Sequence, residues 1–238
     1  MSADWADAQV LVTGASSGIG LATARRFADA GATVVGASRR PCPDARVRSL
    51  EVDLTAANWS DIVAAGLAAH LTEGRRTVVV HNAAELVSDA LHDADPVALR
   101  RLLELNVVVP MMLSQRLLRF CGNGSALIFV GSTLSEKAVA NTLSYTVSKH
   151  AVLGLMRACT QDLAGRRVHA VAVCPGFTDT EMLRARIPDD EVRTSIGANN
   201  AFGRLVTPDE IAATIDYCAA SPVMNGAVVH ANLGQLEV

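Results

Sequence analysis

Directly after a short apolar run, Gln9–Val12, the chain reads Thr13-Gly-Ala-Ser-Ser-Gly-Ile-Gly20, and a helical pattern carrying Leu21, Ala24 and Phe27 follows. A strand that becomes a helix through three glycines can be built in few ways. Gly14, Gly18 and Gly20 suit a tight turn, close approach of the backbone to a ligand, and close helix–sheet packing. The helix start offers free N–H groups and a partial positive charge, which suit a phosphate. The spacing is G-x-x-x-G-x-G rather than the commoner G-x-G-x-x-G. A purely structural turn is the competing reading, weakened by its place at the first strand.

The rest of the chain repeats the same alternation. Short β-branched runs stand at Gln9–Val12, Thr33–Ala37, Arg48–Val52, Thr77–His81, Ala126–Val130, Val168–Cys174 and Ala227–His230, and several are nearly continuous in apolar residues, as strands covered on both faces are. Between them lie helical patterns: Val152, Leu155, Met156, Cys159 and Leu163 form one apolar stripe, and Trp59, Ile62, Val63 and Leu67 another. Thr207-Pro-Asp-Glu210 is a capping box with proline at the first helical position. The expected order is β-α-β-β-α-β-α-β-α-β-α-β. No helix joins the second and third strands, because Arg40-Pro-Cys-Pro43 cannot continue one. The expectation is α/β: one domain over residues 1–238, a doubly wound Rossmann-type parallel sheet of about seven strands with helices on both faces.

Composition removes several function classes. The formal net charge is −3 and aromatic residues make up only 4%, so neither a basic field nor a stacking surface points to nucleic acid. No apolar run reaches the ~18 residues of a membrane span. Asp4 and Asp7 stand where a signal peptide would carry positive charge. The five cysteines are widely spaced and odd in number, and read as reduced core residues. A cytoplasmic location is expected. His81, His92 and His150 lack metal-ligand spacing, so no metal is expected.

The end of the second run bears on the ligand. An acid there would accept from an adenosine ribose hydroxyl; the chain instead has Ser38-Arg39-Arg40, whose guanidinium groups can neutralise a 2′-phosphate, with Ser38 as a further donor. NADP(H) is therefore favoured, with NAD(H) possible. Tyrosine and lysine are scarce, two of each, yet Tyr145 and Lys149 stand one helical turn apart. A neighbouring cation lowers a phenol's pKa, which suits it to acid–base work near neutrality. Thirteen residues upstream, Ser132 ends the fifth run, at the carboxyl edge where open α/β sheets bind ligands.

Together these residues resemble the short-chain dehydrogenase/reductase family over roughly Gln9 to Gly234. Thr13-Gly14 through Ser16, Ser17, Gly18, Ile19 and Gly20 resembles its cofactor loop, and Asp53 with Leu54 its adenine contact. Asn82-Ala83-Ala84 stands where the family has Asn-Ala-Gly. Pro175, Gly176, Thr178 and Thr180 are similar to the segment covering the nicotinamide. The resemblance implies a catalytic tetrad. Asn106 would hold a water, Ser132 would bind the substrate oxygen, and Tyr145 would be the general acid. Lys149 would hold the nicotinamide ribose and depress the Tyr145 pKa. It also implies a homotetramer or homodimer, packed partly through the helices after Asn106 and Tyr145.

The leading expectation is thus an NADP(H)-dependent enzyme reducing a ketone or aldehyde to an alcohol. An NAD(H)-dependent alcohol dehydrogenase is one alternative, and a dinucleotide sensor or scaffold without turnover is another. A substrate lid is expected at about 179–204, bringing Met182, Leu183, Ile187 and Phe202 to an apolar pocket lined opposite by Glu85, Leu86, Leu134 and Leu143.

Overall fold

The structure, a computed structural model, describes residues 4–236. Seven strands run parallel in one sheet: β1 (Gln9–Thr13), β2 (Thr33–Ser38), β3 (Arg48–Glu51), β4 (Thr77–His81), β5 (Ser125–Val130), β6 (Val168–Pro175) and β7 (Val228–Ala231). Their spatial order is β3-β2-β1-β4-β5-β6-β7. β1 lies between β2 and β4, with Val12 opposite both Gly36 and Val80. The chain therefore winds outward in one direction from β1 and restarts in the other at β4. At that reversal the loops leaving β1 and β4 diverge and open a crevice at the strands' carboxyl ends.

Side chains alternate across the pleat, so the inner strands feed two cores. Val10 and Val12 join Phe27, Ile211 and Ile215 on one face, under α1 (Gly18–Asp29) and α8 (Pro208–Ala220). Leu11 and Val35 join Val63, Leu113 and Met156 on the other, under α2 (Trp59–His70), α4 (Val109–Leu117) and α5 (Leu143–Asp162). The apolar stripes expected on α2 and α5 face this second core. The expected capping box opens α8: Thr207 Oγ1 accepts from Glu210 N–H, and Glu210 Oε2 accepts from Thr207 N–H at 2.9 Å. Between β2 and β3 the chain makes no helix, and Cys42 and Val47 pack down on the sheet.

The connections are richer than the expected order. Two helices, α3 (Pro96–Leu103) and α4, join β4 to β5, with a π-helical turn at Glu104–Val108 between them. Pro110 supplies the reason, since it has no N–H to offer the carbonyl of Asn106 four residues back. Between β6 and β7, α6 (Glu181–Arg186) and α7 (Asp190–Gly197) precede α8. Each opens with its own cap: Thr180 accepts from Leu183 N–H, and Asp189 from Glu191 and Val192 N–H.

Candidate active site

A cleft of about 620 Å3 occupies the crevice. Its floor begins at the glycine turn. Gly14 adopts φ +71°, a left-handed conformation that glycine takes without strain. Asn82 Nδ2 donates to the Thr13 carbonyl at 2.9 Å, and the Thr13 hydroxyl oxygen accepts from the N–H groups of Asn82 and Ala83 at 3.0 Å. The ends of β1 and β4 are thereby tied together beneath the cleft. Ser17 starts α1 without a side-chain cap, which leaves first-turn N–H groups open to an anion. Across the cleft, the Thr180 side chain lies over Gly18, where an added Cβ would stand 3.1 Å from Thr180 Cγ2.

Of the residues expected to meet a cofactor, all but Gly20 line this cleft, along with Ser132, Tyr145 and Lys149. Gly20 sits beneath the turn. Asn106 is buried in the π turn, where its Oδ1 accepts from Glu85 N–H and its Nδ2 donates to Glu85 O and Ser148 Oγ. Both amide protons are thus engaged, so a water held by Asn106 would donate to the second lone pair of Oδ1 or to the backbone carbonyl, to which Pro110 offers no N–H.

Ser132 caps a short 3-10 turn, Thr133–Ser135, its oxygen accepting from Leu134 N–H at 3.1 Å. Its hydroxyl also hydrogen-bonds the Tyr145 phenol, which places the two oxygens side by side at the cleft. Tyr145 and Lys149 lie on the first turns of α5, both buried. Lys149 Nζ donates to the Val130 carbonyl at 2.9 Å and stands 5.5 Å from the Tyr145 ring centre. The expected depression of the phenol by the lysine is not present in this state. Burial pushes the Tyr145 phenol up to about 12, against a smaller downward pull from the Ser132 hydroxyl. Burial also lowers the Lys149 ammonium to about 8. Desolvation disfavours the charged form of both and is the largest cause of each shift.

The adenosine end needs a further correction. Ser38 Oγ donates to the Arg40 carbonyl at 2.7 Å, so its hydrogen is spent within the chain. Arg40 Nη2 reaches Glu181 Oε2 at 3.0 Å. Of the expected trio, Arg39 alone keeps its guanidinium clear of a hydrogen bond or ion pair among the described residues, with Asp53 as an electrostatic neighbour. Asp53 accepts from the Thr55 N–H and hydroxyl, which hold its carboxyl below the usual range. At the other end Met182, Leu183, Ile187, Glu85, Leu86 and Leu134 line the cleft as expected. Phe202 and Leu143 do not. Phe202 follows the loop after α7 into solvent, 68% exposed, and the cleft instead gains Val139, Phe177 and Arg186.

Asp89 was not anticipated. It is buried, and its carboxyl group accepts from Ser144 N–H at 2.9 Å and from the Ser144 hydroxyl, while its carbonyl accepts from Leu143 N–H. It caps the start of α5, one residue before Tyr145, in place of Thr142, which makes no side-chain cap. No spacing rule could have found it, because the two segments meet only in the fold. Asp89→Ala is expected to cost about 2–3 kcal/mol in denaturant unfolding, since it strands buried donors. Asp89→Asn, which keeps one acceptor, should cost less.

Sheet order, crevice and site define a dinucleotide-binding oxidoreductase of α/β type. Residues 14–235 match the family model described as enoyl-(acyl carrier protein) reductase. The chain is 33% identical to a cis-4-hydroxycyclohexanecarboxylate dehydrogenase of Sinomonas cyclohexanicum, over all of both chains. It is 28% identical to the 3-oxoacyl-[acyl-carrier-protein] reductase MabA of Mycobacterium tuberculosis, over 92% of this chain and 89% of that one. The solved structure of the angucycline C-6 ketoreductase LanV with bound NADP superposes with a TM-score of 0.86 at 25% identity, covering 99% of this chain and 98% of that one. The chain belongs to the short-chain dehydrogenase/reductase family.

Proposed function

We propose that the chain is an NADP(H)-dependent oxidoreductase that reduces a ketone or aldehyde to an alcohol, reversibly. The observation that carries this reading is one cleft lined by the Tyr145 phenol, the Ser132 hydroxyl hydrogen-bonded to it and the buried Lys149, and also by the unpaired guanidinium of Arg39. The bound nicotinamide supplies or accepts the hydride. Ser132 donates to the substrate oxygen and stabilises the charge that develops there. Tyr145 delivers the proton to that oxygen, or removes it in reverse. Lys149 exchanges its Val130 carbonyl for the nicotinamide ribose hydroxyls. The glycine turn and the start of α1 hold the diphosphate; Asp53 and Leu54 border the adenine, and Arg39 takes the 2′-phosphate. Residues 179–204 act as a lid within one domain, and the chain self-associates through α4 and α5, where Met111 and Val147 stand exposed. The ring alcohol in the name of the Sinomonas relative and the NADP in the LanV structure support the reading.

Arg39→Gln is expected to weaken NADPH binding about tenfold to a hundredfold, the worth of one charge-assisted contact, and to move NADH binding far less. Fluorescence titration with both cofactors tests this. A second reading, an NAD(H)-dependent alcohol dehydrogenase, draws on Ser38, whose hydroxyl proton is taken by the Arg40 carbonyl, and on Arg40, which already pairs with Glu181. Tighter NADH than NADPH binding in the unmodified protein would establish it.

A further inference from the structure

We propose that Arg186 recognises a carboxylate on the substrate, so that the preferred substrates are oxo- or hydroxy-acids; this rests on the carbonyl-reductase reading of the same cleft. On α6, Met182, Leu183 and Arg186 fall at i, i+1 and i+4, which is one helix face, and they line the cleft together with Ile187, the residue that ends the helix. A guanidinium thus stands among otherwise apolar residues where this segment lines the cleft. The helix's other charged residues are engaged elsewhere: Glu181 with Arg40, and Arg184 with both Asp179 oxygens at 2.8 and 2.9 Å. Arg186 makes no hydrogen bond or ion pair among the described residues. Competing anions near it are also spoken for, since Glu85 pairs with Arg101 and Asp179 with Arg184. An unpaired, always-charged fork at the exposed rim of the cleft pairs best with a planar, bidentate anion. A ketone with an apolar body and a carboxylate at its far end would satisfy both ends of the cleft at once.

The test is calorimetric binding of cyclohexanecarboxylate and of cyclohexanecarboxamide, matched in shape, to the protein saturated with NADP+. The carboxylate is expected to bind about tenfold or more tightly than the amide. Arg186→Gln should bring that ratio near one, and Arg186→Lys should retain part of it. Equal binding of the two compounds by the unmodified protein would overturn the proposal, as would a ratio that survives in Arg186→Gln. NADPH oxidation with 4-oxocyclohexanecarboxylate and its amide is measured in parallel. Discrimination in binding with no turnover of either ketone would sink the reductase reading and leave the carboxylate site standing. Turnover of both ketones at equal efficiency, with no discrimination in binding, would do the reverse.

Discussion

Tyr145→Phe is expected to lower NADPH-dependent ketone reduction by about a thousandfold, within the range that removal of a general acid produces. The substitution deletes one hydroxyl and keeps the ring, which is buried at 9% exposure, so packing should survive. Thermal unfolding and NADPH titration should therefore stay near those of the unmodified protein while turnover collapses. Retained turnover would remove Tyr145 from the chemistry. The pH dependence follows from the two buried groups. Reduction needs the phenol protonated; with Tyr145 held up at about 12, that form persists through neutrality. Lys149, lowered to about 8, loses its charge as pH rises past that value. The reduction rate should be flat to about pH 8 and then fall. Oxidation needs the phenolate, so its rate should climb with pH across the same range. An oxidation rate that does not change between pH 7 and 10 would contradict this assignment.

The inner strands were legible because parallel strands buried on both faces must be apolar nearly throughout; β3, exposed at the sheet edge, lacks that pattern. The glycine turn and the Tyr145–Lys149 pair were legible because their spacing is local: one turn and one helix face hold them. What sequence could not supply is distance across the fold. Asp89 reaches Ser144 over 55 residues, and no pattern along the chain links them. The π turn at Glu104–Val108 follows from Pro110, but its register depends on how α3 and α4 pack. Phe202 is apolar and near the lid in sequence, yet the loop after α7 carries it outward. The direction of the Tyr145 pKa shift runs opposite to the expected one for a similar reason. Spacing brings a lysine close, while the burial that opposes ionisation is a property of the assembled site.

Gly20 separates backbone propensity from packing. Gly20 in α1 and Gly154 in α5 both occupy helices, and by helix propensity alone alanine should improve each by up to about 1 kcal/mol. A Cβ at Gly154 meets nothing within 4 Å. At Gly20 it would fall 2.1 Å from the Gly14 carbonyl oxygen and 2.6 Å from Asn82 Nδ2. Neither neighbour can yield without cost. The carbonyl belongs to the turn itself, and the Asn82 amide ties β1 to β4 through Thr13. Gly20→Ala must open the turn, so the strain should exceed the propensity gain and leave a net loss of about 2 kcal/mol. For a chain of this size that is a fall of about 4–8 °C in Tm. Opening the turn also withdraws N–H groups from the diphosphate. NADPH affinity should therefore fall about a hundredfold, the worth of one or two hydrogen bonds to a charged group. Gly154→Ala should raise Tm slightly and leave NADPH binding untouched. Scanning calorimetry and NADPH titration of the two variants side by side check both outcomes. A Gly20→Ala protein that bound NADPH normally would show that the turn does not approach the cofactor, and the diphosphate would have to be placed elsewhere in the cleft.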